Sequence, residues 1–278
     1  MSKLTAVQLT EVSGQANSIR REIIKMVTEA KSGHPGGSLS IADVMALLYS
    51  LEMNASPEKV NDPDRDRFVL SKGHAAPALY ATLALHGYFD KSELAGLRKV
   101  NRLLQGHPDM KHIPGVDMTT GSLGQGISAA CGMALSGKID KKEYRVFSIL
   151  GDGELEEGQV WEAAMFAAHY KLDNLTAFID FNGLQIDGAI TKIMSPLPIP
   201  DKWKAFGWHV LLVDGHDLEA LHEAIENARS TKGKPTMIIM KTIKGKGVKE
   251  MENVAGWHGK APTPEEAKLF LSELGEKQ

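Results

Sequence analysis

The chain contains 278 residues, of which 42% are hydrophobic, and its formal net charge is -3 at pH 7 with a sequence pI near 6.4. A chain of this length and apolar content can bury the core of one large α/β domain or of two small ones. The near-balanced charge argues against a nucleic-acid partner, the absence of a long apolar run argues against a membrane protein, and the start of the chain lacks the apolar segment of a secretory signal, so we expect a cytoplasmic protein.

Helical periodicity dominates the first half of the chain. Apolar residues recur every three or four positions from residue 9 until a Gly-His-Pro-Gly-Gly sequence interrupts the pattern at residues 33–37. A short apolar run at residues 67–70, preceded by a loop rich in Asp and Pro, predicts a buried strand. The pattern predicts helices at residues 9–31, 39–51, 76–86, 91–104 and 127–136.

Strands and helices alternate in the second half of the chain. The predicted strands cover residues 145–150, 175–180, 208–213 and 236–242, the predicted helices cover 158–170, 218–230 and 264–274, and a proline-rich extended loop covers 194–200. This alternation predicts an α/β fold with a doubly wound, mostly parallel sheet flanked by helices. Because no clear linker interrupts the sequence, we expect one domain over residues 1–278.

A carboxylate and an amide follow two successive predicted strands. Asp152, which stands between Gly151 and Gly153, comes directly after one strand, and Asn182 comes after the next. Because parallel strands joined by a helix end at the same edge of a sheet, we expect both side chains to meet there. Mg²⁺ takes oxygen ligands at about 2.0–2.1 Å and is usually held by one or two protein groups plus substrate phosphates. The flanking glycines and the helix predicted from residue 158 favour an anion, so the pattern predicts a diphosphate bridged to the protein by a cation.

Four histidines stand in loops that also contain glycine or proline. They are His34, His74, His107 and His258. Histidine can hydrogen-bond hydroxyl and phosphate groups and can move protons near neutral pH, so the four together predict a functional role. A metal site built from these histidines is less attractive, because they lack the closely spaced pair of a His-x-x-x-His helix.

These motifs, in this order, resemble the first half of the transketolase family. The Gly-Asp-Gly motif, with an asparagine thirty residues after its aspartate, resembles the family's thiamine diphosphate fingerprint. The other matching segments are Gly33-His34-Pro35-Gly36, Ser71-Lys72-Gly73-His74-Ala75, Gly106-His107-Pro108, Thr119-Thr120-Gly121, Leu123-Gly124-Gln125-Gly126 and Trp257-His258-Gly259. The resemblance covers nearly the whole chain, and it implies the thiamine diphosphate-binding fold and its diphosphate-binding domain.

The resemblance implies a role for each matching residue. Mg²⁺, or alternatively Ca²⁺, would be bound by Asp152, Asn182 and the carbonyl of Leu184. The cofactor would be bound by His74, Gly121, Leu123, Asp152, Gly153, Asn182 and Ile186, and the catalytic residues would be His34, His107 and His258. Glu157 matches an acidic position that the family uses between paired active sites. The sequence departs from the family at Ser122, where many members have proline, and at Glu154, where a small or apolar residue is common.

The resemblance also implies a reaction. Transketolases use thiamine diphosphate and Mg²⁺ to transfer a two-carbon ketol unit from a ketose phosphate to an aldose phosphate in pentose phosphate metabolism. The glutamate that activates the cofactor lies on a pyrimidine-binding domain that follows this one in full-length members, and this sequence has no room for that domain. We therefore expect the N-terminal subunit of a split transketolase, which acts on sugar phosphates in an α2β2 assembly with a C-terminal subunit that carries the pyrimidine-binding domain.

Three alternatives are open at this point. One is another thiamine diphosphate enzyme, either a 2-oxoacid decarboxylating enzyme or a synthase that condenses pyruvate with a sugar phosphate. A second is a nucleotide-binding dehydrogenase, although the sequence lacks a Gly-x-Gly-x-x-Gly turn near its first strand. The third is a non-catalytic protein with the same fold, against which the presence of both Asp152 and Asn182 argues.

Overall fold

Five parallel strands form the centre of the computed structural model, which describes residues 3–275. The strands of the chain are β1 (Arg67–Leu70), β2 (Val146–Gly151), β3 (Leu175–Phe181), β4 (Leu184–Gln185), β5 (Gly188–Ala189), β6 (His209–Asp214) and β7 (Thr236–Lys241). The order in the sheet is β1-β2-β3-β7-β6, and every neighbouring pair is parallel. Strands β4 and β5 form a separate antiparallel hairpin. The predicted doubly wound sheet is confirmed, and its predicted strands differ from the observed ones by at most one residue at either end.

Helices cover both faces of this sheet. They are α1 (Ala6–Ala30), α2 (Pro35–Leu39), α3 (Ala42–Leu47), α4 (Ala76–Leu85), α5 (Gln125–Ile139), α6 (Gly158–His169), α7 (Ile190–Ile193), α8 (Ile199–Ala205), α9 (Leu218–Ser230) and α10 (Pro264–Glu273). Within residues 3–275, no helix combines the length and the apolar character needed to cross a membrane.

The sheet separates two apolar cores. Phe147 and Ile149 of β2 belong to the core that also contains α1, α3, α4 and α9, whereas Val146 and Leu150 belong to the core that contains α5 and α6. Successive side chains of a strand point to opposite faces, and a parallel sheet is usually covered on both, so a continuous apolar run is what such a strand requires. Packing on both faces leaves the loops at the carboxyl ends of the strands as the natural place for a ligand.

The helix predicted at residues 91–104 is wrong. Only a 3₁₀ turn, Lys91–Gly96, forms there. The backbone of Arg98 and that of Asn101 have φ angles of 59° and 58°, in the left-handed region, through which a right-handed helix cannot continue. The loop that results passes beside His107 and the end of α1.

Two other predictions need smaller corrections. The single helix predicted at 39–51 is interrupted, because Leu39 already ends α2, α3 covers Ala42–Leu47, and a π-helical turn follows over Leu48–Glu52. The extended loop predicted at 194–200 ends earlier, because α8 begins at Ile199. Pro200 lies in the first turn of α8, where a missing backbone N–H removes no helical hydrogen bond.

Candidate functional site

The loops that follow β1, β2, β3 and β7 surround one cavity of about 490 Å³. This volume lies in the range of small-molecule sites, roughly 300–1,000 Å³. Ten of the predicted site residues line it: His34, His74, Gly121, Leu123, Asp152, Gly153, Asn182, Leu184, Ile186 and His258. His107 lies just behind this wall, with its ring 3.0 Å from the position that a Cβ on Gly121 would occupy.

Asp152 is a buried carboxylate to which no cationic side chain of residues 3–275 is hydrogen-bonded. Its Oδ1 accepts a hydrogen bond from the backbone N–H of Gly153 at 2.9 Å, and its Oδ2 accepts one from the N–H of Gly183 at 2.6 Å. Burial, and secondly the negative charge of Asp180, raise the pKa of Asp152 to about 7. A buried acid in this setting favours a nearby cation, since a cation would stabilise its ionised form.

Asn182 and Leu184 bring two further oxygen atoms toward Asp152. The side-chain amide of Asn182 donates a hydrogen bond from Nδ2 to Asp180 at 2.9 Å. Its Oδ1 accepts a hydrogen bond from the backbone N–H of Leu184 at 3.1 Å. Carboxylate, amide and carbonyl oxygens are the donors that Mg²⁺ and Ca²⁺ prefer. In the described part of the chain, no group of three or more His, Cys, Asp or Glu side chains is arranged to hold a metal. These oxygens therefore fit a cation that takes its remaining ligands from a bound phosphate group.

An ion pair lies directly beneath the cavity. The ammonium of Lys72 donates to Asp180 Oδ2 at 2.6 Å and to the carbonyl of Gly37 at 2.7 Å, and both side chains are almost completely buried. Asp180 also accepts from the hydroxyls of Ser40 and Thr242. These partners hold the pKa of Asp180 below its usual range even though burial alone would raise it. This network fixes the floor of the cavity to the ends of β1, β3 and β7.

Lys244 places a second buried ammonium at the wall of the cavity. Its Nζ lies 3.0 Å from His258 Nδ1 and 3.4 Å from the carbonyl oxygen of Leu184, and only 2% of the residue is exposed. Burial, and secondly the positive charge of Lys72, lower the pKa of Lys244 to about 8. An additional negative group in the cavity would stabilise this ammonium, so Lys244 is suited to bind an anion.

The four loop histidines come together although they lie far apart in the sequence. The ring of His34 lies 5.3 Å from that of His74, 5.5 Å from that of His258 and 6.5 Å from that of His107, measured between centroids. The rings of His74 and His258 are stacked at 5.1 Å. The structure therefore gathers every histidine that the sequence analysis selected at one end of the cavity.

These histidines are electrically neutral near pH 7. Burial, followed by the charge of Arg98, lowers the pKa of His34 to about 4, and burial followed by Lys244 lowers that of His258 to about 3. The pKa values of His74 and His107 are lowered as well, mainly by burial. A neutral imidazole offers one donor and one acceptor. The Nδ1 atom of His34 is buried and has no hydrogen-bond partner in the part of the chain that the structure describes.

The remaining predicted residues form the apolar and backbone walls. Gly121 has a φ of 147°, which L side chains rarely adopt, and a Cβ on Gly153 would meet the side chain of Gln185 at 2.8 Å. Ile186, beside Leu123 in the cavity lining, exposes 67% of its surface. The cavity is thus open on the side where this isoleucine stands.

Sequence reasoning assigned no role to Lys72, Asp180 and Lys244, which the structure places in the lining of the cavity. Lys72 stood inside one of the segments that resemble a known family, and Asp180 was the last residue of a predicted strand. Lys244 belongs to the basic stretch at residues 241–249, and its burial distinguishes it from a solvated surface lysine.

Comparison with known proteins identifies relatives over the whole chain. The family described as "Transketolase, thiamine diphosphate binding domain" matches residues 12–278. The chain is 48% identical over 267 residues to the 6-deoxy-6-sulfo-D-fructose transketolase subunit SqwG of Clostridium sp. (strain MSTE9), covering 96% of this chain and 97% of that protein. It is 40% identical over 271 residues to a protein of Phocaeicola vulgatus that is named as one subunit of an apulose-4-phosphate transketolase, covering 98% of this chain and 96% of that protein.

Single-chain transketolases are longer than this chain. Human transketolase is 46% identical over 270 residues, which are 96% of this chain but only 42% of the human protein. The crystal structure of transketolase from Campylobacter jejuni superimposes with a TM-score of 0.90 at 33% identity, covering 98% of this chain and 43% of that one. The chain therefore spans nearly all of two relatives named as subunits and less than half of the single-chain relatives.

Proposed function

Because this chain belongs to the transketolase family, we propose that it is the N-terminal, thiamine diphosphate-binding subunit of a two-chain transketolase. Its reaction is the transfer of a two-carbon ketol unit from a ketose phosphate to an aldose phosphate. The observation that carries this proposal is the length of the match, which extends over nearly the whole of two transketolase subunits but covers only 42% of a single-chain transketolase.

We propose that the oxygen atoms at the strand ends hold Mg²⁺, with Ca²⁺ as the alternative. The side chains of Asp152 and Asn182 and the carbonyl of Leu184 would bind the ion, and the diphosphate would complete its ligands. Lys244 and Gly153 would contact the diphosphate, while His74, Gly121, Leu123 and Ile186 would surround the thiamine rings. When bound, the cofactor supplies the nucleophilic carbon that the protein itself lacks.

The three catalytic histidines would act on the substrate as neutral groups. Because the Lys244 ammonium donates to Nδ1 of His258 at 3.0 Å, the proton of that ring resides on Nε2, which can donate to a substrate oxygen. His34 lines the cavity, and the ring centroid of His107 lies 6.5 Å from that of His34. Their lowered pKa values keep the rings neutral near pH 7, so that each ring can donate one hydrogen bond to a substrate oxygen and accept another.

A second chain would complete the site. The cavity is open beside Ile186, which exposes 67% of its surface. We propose that a C-terminal transketolase subunit with the pyrimidine-binding domain covers this opening in an α2β2 assembly. Glu157, exposed at the rim of the cavity, would then lie between the paired active sites.

The donor substrate separates this proposal from the nearest alternative. With its co-purifying partner, thiamine diphosphate and Mg²⁺, we expect the protein to transfer two carbons from a ketose, with xylulose 5-phosphate as the default donor and ribose 5-phosphate as acceptor, and to release no CO₂. A sulfonated or branched ketose as the better donor would support the reaction class and define its substrate. Release of CO₂ from pyruvate, with no transfer from any ketose, would instead identify a decarboxylating enzyme or a pyruvate-dependent synthase.

A further inference from the structure

Glu154 is a buried carboxylate that the proposed reaction does not use. It lies two residues after Asp152, and only 2% of it is exposed. Its Oε1 accepts hydrogen bonds from the hydroxyl of Ser71 at 2.5 Å and from the backbone N–H of Gly124 at 2.8 Å, and its Oε2 accepts one from the N–H of Gly151 at 3.0 Å. Both oxygens are therefore occupied by donors from the protein.

The three donors belong to three different loops of the cavity. Ser71 begins the loop that carries Lys72 and His74, and Gly124 ends the loop that carries Gly121 and Leu123. Gly151 is the last residue of β2 and directly precedes Asp152. One carboxylate thus connects the loop that carries the metal-binding aspartate to two loops that line the other walls.

These loops approach each other closely at two glycines, where a side chain would not fit. A Cβ on Gly73 would lie 2.6 Å from the backbone nitrogen of Gly121, and a Cβ on Gly126 would lie 2.6 Å from the Cα of Ser71. Ser71 Oγ extends the contact by accepting a hydrogen bond from the N–H of Ile127 in the first turn of α5, at 3.2 Å. Polar contacts through Glu154 and Ser71 therefore take the place of side-chain packing between the loops.

We infer that Glu154 is a positioning residue, which fixes the position of the loop that carries Gly121 and Leu123 relative to Asp152. This inference rests on the proposed function, because the two loops would bind the thiamine rings and the diphosphate of one cofactor, and their relative position must match the separation of those groups. Glu154 acts through the loops and not on the substrate, since each of its oxygens is bonded to a loop. It also explains why a large acidic residue is accommodated at a position where the family commonly has a small or apolar one.

The variant Glu154→Gln tests this role because it preserves shape and changes one acceptor into a donor. The new NH₂ group must face the N–H of Gly124 or the N–H of Gly151, and a donor cannot bond a donor. The matched control is Glu223→Gln, an exposed position on α9. Two measurements on the protein as purified are required: hydrogen exchange of the ligand-free protein by mass spectrometry, and the affinity for thiamine diphosphate with saturating Mg²⁺.

We expect faster exchange in Glu154→Gln confined to peptides that cover residues 119–127 and 148–153, with β7 unchanged. The dissociation constant for the cofactor should rise about tenfold or more. Ser71→Ala, which removes one donor to Glu154, should give a smaller change in the same peptides and serves if Glu154→Gln does not fold.

Several results would overturn the inference. Unchanged exchange in both loops, exchange that rises equally in β7, or an unchanged cofactor affinity would each exclude a positioning role, the second because it indicates general destabilisation. If the unmutated protein bound no thiamine diphosphate, the proposed function would fail, and the exchange comparison would still decide whether Glu154 holds the loops together.

Discussion

Asp152→Asn should abolish metal-dependent binding of thiamine diphosphate. The substitution replaces the one carboxylate among the proposed metal ligands with a neutral amide of the same shape. Changing residues that only orient a metal ligand typically costs 10–100-fold in metal affinity, so loss of the charged ligand itself should weaken Mg²⁺-dependent cofactor binding by about 100-fold or more. Calorimetric titration of thiamine diphosphate in the presence and absence of Mg²⁺ measures this effect.

The same variant should fold nearly normally. Asp152 lies beside Asp180, and removing its charge removes a repulsion that, with burial, raises the pKa of the acid to about 7. The new NH₂ group cannot accept a hydrogen bond, so one of the two bonds from the N–H groups of Gly153 and Gly183 is lost. We therefore expect the free energy of unfolding of the ligand-free protein to change by no more than about 1–2 kcal/mol. Asp201→Asn, on the surface of α8, is the control. Cofactor affinity equal to that of the unmutated protein would remove Asp152 from the metal site.

Lys72→Met should be the most destabilising of the conservative substitutions around the cavity. Methionine has a similar length, but it leaves the buried carboxylate of Asp180 without its ion-pair partner and the Gly37 carbonyl without its donor. Breaking a buried ion pair by removing one partner typically costs about 3–5 kcal/mol. Denaturant unfolding of the full chain measures the change, with the exposed Lys268→Met on α10 as the control.

The double variant Lys72→Met/Asp180→Asn distinguishes a lost ion pair from lost packing. Asp180→Asn replaces the buried carboxylate with a neutral amide, so no buried charge is left without a partner. The double variant should therefore be more stable than Lys72→Met alone. Two results would contradict this role of the ion pair. One is a loss of less than about 1 kcal/mol in the free energy of unfolding of Lys72→Met, and the other is a double variant whose loss equals the sum of the losses of the two single variants.

The convergence of Asp152 and Asn182 on one cavity could be predicted from local patterns. Asp152 and Asn182 each follow an apolar run, and two parallel strands joined by a helix must end at the same edge of the sheet. The close approach of His34, His107 and His258 could not be predicted from local patterns. Hydrophobic periodicity does not indicate which distant loops meet, and for these residues the resemblance to a known family supplied the expectation.

The buried charges could not be predicted in this way. Lysine and glutamate are mostly exposed in proteins, and the local sequence pattern did not indicate that Lys72, Lys244 and Glu154 would be buried. The role of Asp180 as the ion-pair partner of Lys72 is evident only from the structure, in which the two side chains are in contact. The incorrect helix at residues 91–104 has a related cause, because an amphipathic pattern does not reveal the left-handed backbone at Arg98 and Asn101.

The rate of ketol transfer by this chain, alone and with its co-purifying partner, tests the central claim most directly. The assay contains thiamine diphosphate, Mg²⁺, a ketose phosphate donor and an aldose phosphate acceptor. We predict transfer only when both chains are present, because this chain provides the diphosphate wall of the site and leaves the side beside Ile186 open. Ketol transfer by the chain alone, at the rate of the mixture, would contradict the account.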